Sequence, residues 1–108
     1  MITEEIRVAI QKRAATDDEW AYSVDQCCKE EIEILSRDIE DTLSFLETEC
    51  TAEEFSWLSE VFDDVAEKTQ SRALVNCFYR IAKKYPEECE KYYIDRVLRY
   101  AQGALNDE

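Results

Sequence analysis

Apolar residues recur every three or four positions along most of this chain, and no stretch alternates apolar with polar. That spacing lines one face of a helix, whereas a half-buried strand needs a period of two. The first run, Thr3 to Ala15, carries Ile2, Ile6, Ala9 and Ile10 as a narrow stripe, with Thr3 as candidate N-cap. Glu4 and Glu5 fall in its first turn and Lys12 and Arg13 in its last, as the helix dipole favours. Asp17 or Asp18 caps the second run. Trp20, Val24, Cys27, Cys28, Ile32, Leu35, Ile39, Leu43 and Leu46 keep helical spacing there as far as Glu49. Ser36-Arg37-Asp38, with Asp41 behind it, offers an internal cap, so two helices, or one kinked helix, breaking near residue 37, are expected.

Thr51 and Glu54 form a T-x-x-E capping box. The helix it opens puts Phe55, Leu58, Phe62, Val65 and Ala66 within one sector of about 100° and ends at Lys68-Thr69-Gln70. Ser71 caps the next helix, apolar around much of its circumference through Leu74, Val75, Cys77, Phe78, Ile81, Ala82 and Tyr85, and Pro86 stops it. Pro86-Glu87-Glu88 reads as a new first turn. Ile94, Val97, Leu98, Ala101, Ala104 and Leu105 make the last stripe. The segment Thr51–Pro86 is therefore the centre of the pattern, with the helix after Ser71 as its core.

With 1 glycine and 1 proline in 108 residues, the chain has little of the turn chemistry that sheets use. The expectation is an all-α single domain over residues 1–108, a bundle or short superhelix of about five to six antiparallel helices. The five cysteines, Cys27, Cys28, Cys50, Cys77 and Cys89, are odd in number and lack metal-like spacing. No run approaches the roughly 20 apolar residues of a membrane span. The start of the chain has no export pattern, so a cytoplasmic protein with reduced thiols is expected.

Charge is unevenly placed. Residues 16–70 hold eighteen acids and three bases, for −15, whereas residues 1–15 and 71–108 each carry +1, giving −13 in all. Such a field repels nucleic acid and membrane surfaces and attracts basic partners; a solvated, solubility-giving face is the plainer reading. Trp57 falls outside the apolar sector of its helix, beside Glu53, Glu60 and Asp64, with Asp63 and Glu67 flanking. It is either an anchor within an acidic ring or a core residue of a helix packed on two sides. Tyr85, Tyr92, Tyr93 and Tyr100 are either a contact surface or rings at the rim of a small core.

Catalytic chemistry is not indicated. With no histidine the usual general base and commonest metal ligand are missing. Cys50 sits among Glu47, Glu49, Glu53 and Glu54, which oppose a thiolate. Neither a calcium loop nor a phosphate-cradling glycine loop is present. No enzyme activity, cofactor or metal is expected.

The segments Trp57–Asp64, Thr69-Gln70-Ser71 and Lys84–Glu88 resemble the small acidic all-helical immunity proteins of bacterial polymorphic toxin systems, including contact-dependent growth inhibition. The likeness spans residues 38–105. It implies an antidote that binds one cognate toxin domain, often a nuclease with a basic cleft, and blocks it. The candidate contact face is Glu53, Trp57, Glu60, Asp63, Asp64 and Glu67. No nucleic-acid or membrane partner is expected, and a monomer is favoured. The alternatives are a helical scaffold or adaptor, a homodimer through residues 20–46, or a nucleic-acid mimic.

Overall fold

Helix stop signals divide the chain. The computed structural model describes residues 2–16 and 21–106. It is all-α: α1 (Thr3–Ala15), α2 (Ala21–Arg37), α3 (Ile39–Thr48), α4 (Ala52–Leu58), a 3₁₀ turn (Ser59–Val61), α5 (Phe62–Thr69), α6 (Arg72–Lys84), α7 (Pro86–Tyr92) and α8 (Ile94–Gly103). Among the described residues there is no strand, and no helix is long and apolar enough to cross a membrane. The expected caps at Asp17 or Asp18, and Trp20 in the second stripe, lie outside the described residues.

Most boundaries arise from local chemistry. Asp38 ends the long second pattern by accepting the Asp41 N–H at 3.2 Å, so it forms two helices. The capping box is complete: Thr51 Oγ1 accepts the Glu54 N–H and Glu54 Oε1 accepts the Thr51 N–H. Ser71 accepts the Leu74 N–H, and Pro86 stands at the first position of α7.

Two expectations need correction. Thr3 does not cap α1; it lies within the first turn, Ile2 precedes the helix, and Thr3 Oγ1 is buried without a hydrogen-bond partner among the described residues. The helix after Thr51 is not continuous either. Ser56 Oγ donates to Glu53 O and Ser59 Oγ to Ser56 O, both at 2.6 Å, where serine hydroxyls compete with the helical ladder. The chain tightens into the 3₁₀ turn there and brings Val61, outside the apolar sector of a straight helix, into the core at 0% exposure.

The core is one packed body rather than a stack of hairpins. α6 touches α3, α5, α7 and α8, and buries Leu74, Val75, Cys77, Phe78, Ile81 and Ala82. Phe62 stacks on Phe78 with centroids 4.0 Å apart; Phe55 tilts against Phe62 at 5.2 Å and Tyr85 against Phe55 at 5.9 Å. Each such contact adds about 0.5–1.5 kcal/mol to the burial itself. Ala66, Val75 and Ala101 form a second, smaller buried cluster where α5, α6 and α8 meet. The molecule measures 38 × 29 × 25 Å, a bundle rather than a superhelix.

Two ties fix the helices that carry the acidic segment. α1 docks through its bases: Arg7 donates to Glu54 at 2.7 Å and to Glu49 O at 3.0 Å, and Arg13 donates to Glu60 at 2.7 Å. At the other end, Gln70 closes α5 in the left-handed region, φ 53°. Its side chain donates to Ala104 O and accepts the Asn106 N–H, which fixes α5 to the end of α8.

Candidate functional site

The 3₁₀ turn divides the expected contact face. Glu53, Trp57 and Glu60 line one groove of about 530 Å³, closed on its far side by Glu88, Lys91, Tyr92 and Val97. Asp63, Asp64 and Glu67 line a second groove of about 570 Å³, with Arg99, Tyr100, Gly103 and Ala104 opposite. The six residues are thus brought together in two groups of three, not in one ring. Both grooves have α8 as a wall and hold three acids to one base.

Trp57 is half-buried and packs against the main core. The Arg13 guanidinium lies 5.3 Å from its ring centroid while Arg13 Nε holds Glu60. Trp57 therefore belongs to the packing, and its remaining surface borders the first groove. Glu60 is partly neutralised by a base from α1. Glu53 and Glu67 are exposed. Partial desolvation, then Asp63 and Glu67, push the Asp64 carboxyl above its ordinary range. An approaching cation relieves that crowding.

The tyrosines separate by position. Tyr85 donates to Cys50 O at 3.0 Å and Tyr79 to Gln102 at 3.0 Å, so these two are structural. Tyr92, Tyr93 and Tyr100 are 47%, 70% and 62% exposed, and their hydroxyls make no hydrogen bond among the described residues. All four phenylalanines are fully buried. Tyr93 also holds the left-handed conformation between α7 and α8, φ 56°, a position that suits glycine. Spacing alone could not distinguish these three rings from core residues; the unfavourable backbone at Tyr93 depends on where α7 ends.

Three of the thiols are held toward their neutral form. Burial, then Glu54, pushes Cys50 up to about 12; burial, then Glu47, pushes Cys77 up to about 11; and burial, then Glu60, pushes Cys28 up to about 11.

One cluster was not legible in the sequence. Cys28 and Glu31 lie one turn apart on α2, and the 3₁₀ turn brings Glu60 to them, so that the three ligand atoms lie within 4.8 Å of one another. Glu31 is 0% exposed and neither carboxyl oxygen has a hydrogen-bond partner among the described residues. Its pKa is raised to about 8, first by desolvation and then by Glu60, with Arg13 opposing.

Comparison with protein-family models, with curated proteins and with solved structures finds no match to this chain.

Proposed function

We propose that this chain is a protein-binding module, an immunity protein that neutralises a cognate toxin domain through the face formed by α4, α5, α7 and α8. The observation that carries this reading is Tyr93. A tyrosine 70% exposed, held at a backbone angle that favours glycine, contributes little to folding. Strain of this kind is expected where a side chain serves function. Tyr92 and Tyr100 extend the apolar contact, and tyrosine is among the residues enriched at binding hot spots.

The acid-lined grooves on either side give the face its sign. A toxin that holds phosphate does so with a basic cleft. Acidic walls speed its encounter with this chain and exclude substrate once bound. The exposed rings supply contact area that a merely solubilising acidic surface does not need, which favours this reading over a scaffold role. The cytoplasm is the compartment where such an antidote acts.

The reading predicts a toxin domain encoded beside this chain's gene, and the test uses that domain. Purified chain added in equimolar amount abolishes that domain's activity, and the paired charge reversal Glu60→Lys and Asp64→Lys restores it. A toxin domain that stays active in excess chain rules the reading out.

A further inference from the structure

We propose that Cys28, Glu31 and Glu60 form a binding site for one divalent cation of the zinc class. Two independent observations carry this. The first is convergence: Sγ and one oxygen from each carboxylate lie within 4.8 Å of one another, and Cys28 Sγ already stands 3.7 Å from Glu60 Oε1. Tetrahedral zinc, with bonds of about 2.0–2.3 Å, needs ligand atoms about 3.5 Å apart, so small side-chain shifts close the site. The second is Glu31 itself. Its carboxyl is wholly buried, faces the cluster, and has neither oxygen hydrogen-bonded among the described residues. A buried carboxyl without a partner is costly, and a cation is a partner that satisfies it.

The donor set selects the ion. One thiolate with two carboxylates suits a borderline-soft metal, whereas magnesium and calcium take oxygen alone. The local charge also balances. Three anionic ligands, a doubly charged ion and the Arg13 guanidinium sum to zero, with the Cys28 thiol proton and the proton held by the buried Glu31 carboxyl both passing to solvent on binding. Arg13 need not leave, because a carboxylate offers about four lone-pair sites and Arg13 uses one direction on each Glu60 oxygen. Cys28 is half-buried and Glu60 exposed, which gives the ion a way in and leaves a fourth position for water.

The test is direct binding to reduced, chelator-treated full-length protein, read by calorimetry with Zn²⁺ and by the thiolate-to-metal charge-transfer absorption with Co²⁺. The expected result is one saturable equivalent of Zn²⁺ and a thiolate band with Co²⁺. Cys28→Ser removes the band and weakens Zn²⁺ by tenfold or more, and Glu31→Gln, which replaces a carboxyl that can ionise by a neutral amide of the same size, weakens it similarly. Cys77→Ser changes neither. The proposal is overturned if the wild-type protein binds no saturable equivalent, or if binding survives unchanged in both Cys28→Ser and Glu31→Gln. Glu60 is shared with the partner face, but Cys28 and Glu31 lie outside it, so failure of the cation site in their variants leaves the immunity reading standing.

Discussion

The guanidinium of Arg13 lies over the ring of Trp57, 5.3 Å from its centroid, and grips Glu60 with the same side chain. One residue of α1 thereby holds both the tryptophan and a carboxylate of the acidic segment. Arg13→Ala is expected to destabilise the protein by about 2 kcal/mol, through loss of charged hydrogen bonds and the cation–π contact. In a Trp20→Phe background, Trp57 emission shifts to longer wavelength. Unchanged emission and an unchanged denaturation midpoint contradict this role for Arg13.

Glu31 gives the fold a pH dependence in chelator-treated protein. Its folded pKa, about 8, exceeds the ordinary 4.5. Between the two the folded state holds a proton that the unfolded state has lost, so stability falls as pH rises through that window. The neighbouring groups responsible are Glu60 and Glu30, opposed by Arg13. Glu31→Gln removes the slope, and its advantage over the wild-type protein grows from about 4.5 to about 8. Urea melts across that range give the comparison; parallel curves refute it.

The capping box acts at the opposite end of the pH scale. Burial raises the Glu54 carboxyl, but Arg7, the Thr51 N–H and the Thr51 hydroxyl together hold it below its ordinary range. A lowered carboxyl stabilises the fold above its unfolded pKa, and that contribution is lost as pH falls through the folded value. Thr51→Ala is expected to cost about 1 kcal/mol at neutral pH. Arg7→Ala, by raising Glu54 toward its ordinary range, moves the acid limb of unfolding to higher pH.

How legible this was in the sequence depends on the range of the interactions. Asp38, Thr51, Ser71 and Pro86 bound their helices through neighbours within three positions, so those ends were readable. The break at Ser59–Val61 was not, because Ser56 and Ser59 are compatible with either a helix or a turn until packing draws Val61 inward. That one turn decides the site. It separates Glu53, Trp57 and Glu60 from Asp63, Asp64 and Glu67, and it carries Glu60 to Cys28 and Glu31. The pairing of Arg7 and Arg13 with acids 47 positions away was equally invisible to local patterning.

Tyr93 offers a separation of folding from binding. Tyr93→Gly relieves the left-handed backbone and loses the Arg96 contact at 5.9 Å together with the small covered part of the ring. Stability is expected to rise by about 0.5–1 kcal/mol, the relief less the entropy that glycine costs. Partner affinity falls in the same variant. A protein made less stable by this change contradicts the strain assigned to Tyr93.

The most direct test is the affinity of the chain for the toxin domain that the proposed function expects beside its gene, measured by calorimetry for the wild-type protein and two variants. Tyr100→Ala combined with Asp64→Lys is expected to weaken binding by a hundredfold or more, about 3 kcal/mol. Glu40→Lys, an equal charge change on the exposed face of α3, is expected to alter affinity less than threefold at physiological salt. Equal losses in both variants mean that only total charge matters. That outcome, or no binding by the wild-type chain, contradicts the face formed by α4, α5, α7 and α8.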